Sequence, residues 1–347
     1  MKQFIFKIAI YIFLIAIFAG MSFYIDPFNV LHPFKIRDNG VEPNKNYIKM
    51  TYILSEPKKF DAFIFGSSRV GRINVKKITN KNCYNMTYSA GLPAEHLANL
   101  KTFFNNGVIP ETIYMGIDSL SYTTNPYDHL TEQLRSPYEY LKGHSFDFIK
   151  MYTDPAITWK SQYTTLTYTP SIPLEEFRDL FYSCGSTSSQ ITYGQESAYD
   201  FSQAQPTIGN TMRMDEVLEE IEEIVRLCKE NNTELVVFTN PMYDITYKAS
   251  LEKDYMSFLY RLADITPFYN FSGFNDVTLD SNYFQDPSHY KTEVGDMLIE
   301  VMLNGGQYDE LYEQGFGVYV TPENVEEFLD ILDEQNRIYY TNEKITA

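Results

Sequence analysis

The sequence predicts an α/β chain: a three-layer α/β/α domain with a mostly parallel sheet, carried behind one N-terminal transmembrane helix. Three observations predict it. Residues 8–25 (IAIYIFLIAIFAGMSFYI) run for eighteen positions without a charge, and a helix needs about 20 apolar residues to cross the hydrocarbon core of a bilayer. Downstream, short apolar runs stopped by turn residues recur between segments of helical periodicity, the alternation that builds a parallel sheet covered on both faces. The 347 residues suffice for one large domain with an insertion, or for two smaller domains.

Residues 1–7 form a short end bearing Lys2 and Lys7. Positive charge on the short side of an anchor marks the cytoplasmic side, so everything after Asp26 is expected outside, on a single-pass protein of the cell membrane. The apolar run ends in Phe23-Tyr24-Ile25 rather than a small-x-small site, which favours an uncleaved anchor over a signal peptide. Residues 26–57, with Pro27, Pro33, Pro43 and Pro57, read as a stem with one short helix. The main domain is expected over 58–305. Its strands are Asp61–Phe65 (DAFIF), Asn82–Met86 (NCYNM), Thr112–Ile117 (TIYMGI), Glu234–Thr239 (ELVVFT) and a short run near Pro267–Phe271. Its helices begin at Pro93, span Met214–Asn231 and roughly Tyr247–Ala263, and end with Thr292–Leu303. Residues 119–210 interrupt this rhythm. They are rich in Tyr, Ser, Thr and Pro, hold the single tryptophan, Trp159, and read as an insertion with short helices over 130–143 and 173–185. Residues 306–347 read as an acidic, helical extension, a lid or a packing element.

The charge balance, 28 Lys+Arg against 46 Asp+Glu, gives −18. Such a surface repels nucleic acid and anionic membrane surfaces alike, so nucleic-acid binding is excluded as a leading role. Cys83, Cys184 and Cys228 are too few and too scattered for a disulfide framework, and no C-x-x-C pair suggests zinc or redox chemistry. No H-E-x-x-H, Walker A or G-x-G-x-x-G occurs, so no metal and no cofactor is expected.

Two local patterns can carry chemistry. Gly66-Ser67-Ser68 follows the first strand, where open α/β sheets bind their ligands, and its main-chain N–H groups would open the next helix. Asp286-Pro-Ser-His289 precedes the last helix of the domain. A serine hydroxyl attacks only when a base removes its proton, and that base must be held in one tautomer by a carboxylate. Of five histidines, His32 falls in the stem, His96 inside a helix, and His129 and His144 in the insertion. His289 is left at the expected sheet edge.

Together, the Gly-x-Ser turn and the D-x-x-H pattern resemble the SGNH (GDSL-like) hydrolase superfamily over residues 58–305 outside the insertion. The resemblance implies a flavodoxin-like sheet, with Ser68 as nucleophile, His289 as base and Asp286 as its orienting carboxylate. Ser67 stands where the family has Asp. For the oxyanion hole the resemblance implies the N–H of Ser68 and that of Gly91, in Asn85-Met-Thr-Tyr-Ser89-Ala90-Gly91, with Ala90 the alternative. The third block, normally Gly-x-Asn-Asp, reads Gly116-Ile117-Asp118-Ser119. An ionised carboxylate cannot donate to an oxyanion, and a lost donor costs about 2.7–4 kcal/mol. Asp118 therefore points elsewhere, is kept protonated, or marks a slow or specialised enzyme. Arg69 and Arg72 are candidates to hold an anionic substrate group, with pairing to carboxylates their other role.

A Gly-Ser-Ser block behind one anchor is similar to the teichoic-acid D-alanylation proteins and their relatives. That likeness implies a membrane-bound O-acyltransferase as partner and a cell-surface polysaccharide or teichoic-acid-like acceptor. The function it implies is extracytoplasmic serine-dependent acyl transfer, by an O-acyltransferase or an esterase. The alternative is a non-catalytic module of the same fold that binds a surface polymer or an acyltransferase partner.

Overall fold

Strand β1 (Ala62–Phe65) is apolar and buried at every position, as a strand must be when both faces of its sheet are covered. It pairs in parallel with β2 (Cys83–Asn85) on one side and β3 (Thr112–Ile117) on the other. Strands β4 (Glu234–Thr239) and β5 (Phe268–Asn270) continue the parallel sheet. The order β2-β1-β3-β4-β5, closed by a sixth strand beside β5, reverses direction between β1 and β3, the place where doubly wound sheets open a crevice beyond their strand ends.

The sixth strand shows which of the two readings of the C-terminal extension, a lid or a packing element, the fold takes. Strand β8 (Val318–Val320) pairs antiparallel with β5, and the helix Val325–Thr346 follows it, with Val325, Phe328 and Leu332 buried. Phe328 meets Phe268 of β5 edge-on at 6.4 Å. The tail is thus a packing element of the sheet. Three residues of alternating burial are too short a pattern to stand out in a sequence. The expected helix over 247–263 is also two helices, Asp244–Leu251 and Tyr255–Ile265, separated where Asp254 adopts φ +58°. A two-stranded hairpin, β6 (Phe284–Asp286) with β7 (His289–Tyr290), precedes the helix Thr292–Asn304.

This computed structural model describes residues 1–186 and 199–346. The part of the expected insertion at 187–198, and residue 347, lie outside the described residues. The chain divides into two units, Met1–Ser55 with Tyr127–Ser183, and Glu56–Pro126 with Cys184–Ala347. The second contains the six-stranded sheet.

The first unit begins with the helix Lys2–Ile25, which has the length and apolarity to cross a membrane. The segment expected as a stem is no free linker. Phe28 and Val30 are buried with Leu141, Met151 and Tyr152, and Ile36 and Ile48 with Phe177 and Phe181. The middle of the expected insertion therefore folds with the N-terminal segment. It contributes the helices Tyr138–Gly143, Ser145–Thr153, Pro155–Thr167 and Leu174–Cys184. Only the second half of the helix expected over 130–143 forms, because Pro137 occupies its N-cap. Cys83, Cys184 and Cys228 are buried free thiols.

Candidate active site

The chain leaves β1 through Gly66, whose φ of +150° and crowded surroundings admit no side chain. A Cβ there would lie 2.4 Å from Val70 Cγ2 and 3.0 Å from Gly116 O. The helix expected after this turn is a single turn of 3-10 helix, Val70–Arg72. Ser67 is buried, and its Oγ accepts the Arg69 N–H at 3.4 Å. Ser68 is half-exposed.

Asp286 and His289 face each other across the tight hairpin, at paired positions of β6 and β7. Asp286 Oδ1 accepts the main-chain N–H groups of Ser288 at 2.8 Å and His289 at 3.0 Å, so the carboxylate builds the turn it sits on. Both of its oxygens also lie 2.9 Å from His289 Nδ1. Burial pushes this carboxyl up, but the hydrogen bonds from His289 and from the two main-chain N–H groups outweigh it and hold it below the usual carboxylate range. With the Nδ1 proton directed at Asp286, Nε2 is the ring's acceptor, and it lies 2.8 Å from Ser68 Oγ. The His289 side chain remains 23 % exposed, so solvent and a substrate reach the imidazole.

Arg69 does not hold a substrate anion. It is wholly buried: Nη1 lies 2.7 Å from Asp118 Oδ1, Nε donates to Ser288 O at 3.1 Å, and Nη2 donates to Thr207 O at 3.0 Å. One guanidinium thus ties the Ser68 turn to the end of β3 and to the hairpin that carries Asp286 and His289. Asp118 is likewise no oxyanion donor. It is 1 % exposed, and besides Arg69 it accepts Leu120 N–H at 2.8 Å and Asn240 Nδ2 at 3.0 Å. Of the readings left open by the sequence, Asp118 points elsewhere. Arg72 is half-buried. Burial lowers its pKa while Asp286 and Tyr290 draw it back up, so its charge is felt at Asp286.

The expectation for Gly91 also changes. Its N–H donates to Tyr88 O at 3.2 Å and is already engaged. A Cβ on Gly91 would lie 2.7 Å from Gly66 O and 2.9 Å from His96 Cε1. Glycine is needed there because two main chains approach closely. Among the described residues, the N–H groups of Ser68 and Ala90 have no internal acceptor, and Ala90 adopts φ +53°, a conformation that costs a non-glycine residue about 1–2 kcal/mol. Of the three N–H groups considered, those of Ser68 and of the alternative, Ala90, are therefore the ones left unengaged.

Several supporting residues carry no sequence signal. Asn240 takes the Tyr290 hydroxyl at 3.4 Å while its amide holds Asp118. Thr246 Oγ1 donates to Pro287 O at 3.1 Å and accepts Thr207 N–H at 3.2 Å, bracing the hairpin from outside. His96 lies fully buried beside Gly91, Phe65 and Tyr88, with neither ring nitrogen hydrogen-bonded. Burial lowers its pKa to about 3, so it is a neutral ring at any ordinary pH. No protein-family model matches this chain, and no curated protein matches it.

Proposed function

We propose that this chain is a membrane-anchored serine acyl-transfer enzyme of the SGNH type, acting outside the cytoplasm on a cell-surface polymer or glycan. One observation carries the reading: Ser68, His289 and Asp286 form an unbroken hydrogen-bonded chain, although 221 positions separate the serine from the imidazole. The strand order is also that of a flavodoxin-like sheet, with the serine at the turn leaving β1.

In this reading Ser68 Oγ attacks the carbonyl carbon of an acyl donor while His289 Nε2 takes the hydroxyl proton. Asp286 stabilises the imidazolium and fixes its tautomer. The N–H groups of Ser68 and Ala90 receive the oxyanion. His289 then returns the proton to the departing oxygen or sulfur, leaving an ester on Ser68. An acceptor hydroxyl, or water, gives its proton to His289 and attacks that ester, and Ser68 recovers its hydroxyl. The anchor favours a transferase working beside a membrane-bound O-acyltransferase, with a polysaccharide or teichoic-acid-like acceptor.

Labelling of the full chain by a fluorophosphonate tests the role of Ser68. We expect a labelled band that Ser68→Ala abolishes and His289→Ala reduces by orders of magnitude. A band unchanged by Ser68→Ala removes the nucleophile. A non-catalytic binding module is the second reading, favoured by the engagement of Asp118 with Arg69 and of Gly91 with Tyr88. It requires glycan binding without label, unaffected by His289→Ala.

A further inference from the structure

The chain is strongly acidic, yet a cavity at the C-terminal end of the Lys2–Ile25 helix gathers three cations, Lys35, Arg37 and Arg178, against one carboxylate, Asp26. This cavity, of about 420 Å³, lies within the first unit and is bordered by Tyr24, Asp26, Lys35, Arg37, Leu166 and Arg178. Its volume falls in the range of small-molecule sites, about 300–1,000 Å³. The arginines are held by main-chain carbonyls: Arg37 donates to Ile25 O, and Arg178 donates to Ile36 O at 3.0 Å and Lys35 O at 3.1 Å. These bonds orient the guanidinium groups without neutralising them. Lys35 is exposed and, among the described residues, makes no ion pair. The carboxylate of the lining, Asp26, is buried and engaged by the Tyr152 hydroxyl at 2.6 Å and by His32, through N–H and Nδ1, at 2.9 Å each.

The position of the cavity selects its ligand. Tyr24 and Ile25 end the helix that has the length to span a bilayer, so the opening lies where hydrocarbon gives way to headgroups. The helix Pro155–Thr167 packs against this end, with Gln162 hydrogen-bonded to Ser22, and Tyr152 of the preceding helix, Ser145–Thr153, stacks on Phe23 at 5.2 Å. Its other face carries Trp159, Tyr163 and Leu166, exposed by 66 %, 62 % and 64 %. That spacing places them on one side of a helix, and Trp and Tyr concentrate at membrane–water boundaries. Leu166 belongs both to this apolar face and to the cationic cavity.

We propose that the cavity binds the phosphate headgroup of an anionic membrane lipid. Lys35, Arg37 and Arg178 take the phosphate oxygens, as guanidinium and ammonium groups do, while Trp159, Tyr163 and Leu166 lie among the upper acyl chains. The local charge thereby overcomes the repulsion that the whole molecule presents to anionic lipid. This inference rests on the N-terminal helix spanning the membrane and is independent of Ser68.

The full chain, solubilised in uncharged detergent and reconstituted in nanodiscs of phosphatidylcholine with or without phosphatidylglycerol, provides the test by native mass spectrometry and thermal melting. We expect phosphatidylglycerol to be retained preferentially and to raise the melting temperature. Lys35→Gln should weaken retention about fivefold, the effect of one cation at a charged surface, and Lys35→Glu should weaken it further. Both variants fold, since only the main chain of Lys35 makes internal bonds; Arg37→Gln and Arg178→Gln extend the series. Equal retention of the two lipids overturns the proposal, as does undiminished retention by Lys35→Glu. A stabilisation reproduced in full by inorganic phosphate assigns the site to a soluble ligand and also overturns it. Release of the chain by carbonate extraction removes the anchor itself, a failure distinct from loss of lipid preference in a chain that stays in the membrane.

Discussion

Replacing Asp118 by Asn restores the residue type that the proposed family has in its third block, and it separates two arguments. If position 118 acts as an oxyanion donor, Asn should accelerate turnover. The structure gives the opposite expectation. Arg69 and Asp118 are ion-paired at 2.7 Å with side chains 0 % and 2 % exposed, and removing one partner of such a pair leaves a buried charge, at a cost of about 3–5 kcal/mol. Asn keeps an oxygen able to accept from Leu120 N–H, so the loss is chiefly that of charge, and about 3 kcal/mol is the expected value. The urea midpoint of the sheet-containing unit should fall accordingly. The assay needs a probe in that unit, such as far-ultraviolet circular dichroism or hydrogen exchange over β1 and β3. Fluorescence of the single tryptophan, Trp159, reports only on the first unit. The double variant Arg69→Met/Asp118→Leu should regain most of the stability, because apolar replacement of a buried pair is often neutral. It should not regain activity, because Ser288 O then lacks its Arg69 donor. An Asp118→Asn chain within 1 kcal/mol of the parent (on the order of the error in such extrapolations), or one that turns over faster, refutes this account of Arg69.

Asp286→Asn leaves the hairpin able to form but lets the His289 ring take the wrong tautomer, and the acyl-enzyme rate should fall by about 10³–10⁴, read as the initial rate of fluorophosphonate labelling. Because the Asp286 carboxyl is held below its ordinary value, its contribution is complete above the usual carboxylate range and is lost only as pH falls through the lowered value; a carboxyl-carbon NMR titration of Asp286 at or above the ordinary aspartate value refutes its role as the ionised partner. His96 shifts from 6.5 to about 3 on folding, so the unfolded chain takes up the proton first, and stability is full above pH 6.5 and declines as pH falls towards 3. At pH 5 the decline is about 2 kcal/mol, so unfolding free energies at pH 7 and pH 5 should differ by that much more in the parent than in His96→Phe; identical differences refute the assignment. Gly66→Ala forces a Cβ to within 2.4 Å of Val70 Cγ2 at a φ open mainly to glycine; it should destabilise by about 1–3 kcal/mol and lower labelling yield, with partial recovery in the Val70→Ala background.

What the sequence disclosed and what it hid follow from how local each feature is. Strands β1, β3 and β4 are apolar runs stopped by Gly66, Asp118 and Asn240-Pro241, because a strand covered on both faces needs apolar residues at successive positions. Each half of the Ser68–His289–Asp286 chain is also written locally: the serine lies in a three-residue turn, and base and carboxylate share a tight hairpin. The role of Arg69 has no such trace. Its partners Thr207 and Ser288 lie 138 and 219 positions away, and nothing in the local composition distinguishes a buried arginine from a surface one. The first unit was hidden for the same reason. The pairing of Phe28 and Val30 with Leu141 and Met151 joins segments that periodicity treats as a proline-rich stem and an unrelated insertion.

The departures from the family pattern become intelligible as a set. With Asp at 118, the end of β3 carries a buried negative charge that needs a cation, and Arg69 supplies it from the turn that also carries Ser68. The same guanidinium fixes the Ser288 carbonyl between Asp286 and His289, so the ion pair positions both halves of the proposed triad against one strand end. Asn240 completes the arrangement by holding the second Asp118 oxygen and receiving the hydroxyl of Tyr290, which follows the base directly. An amide at position 118 would direct a donor at substrate; the carboxylate instead makes position 118 an anchor. Oxyanion stabilisation then falls to main-chain N–H groups alone. A side-chain donor of this kind contributes about 2.7–4 kcal/mol. Under the proposed reading, the chemistry open to such a site is the transfer of acyl groups already activated as esters or thioesters, which is also what the proposed membrane-held donor and acceptor would present to it.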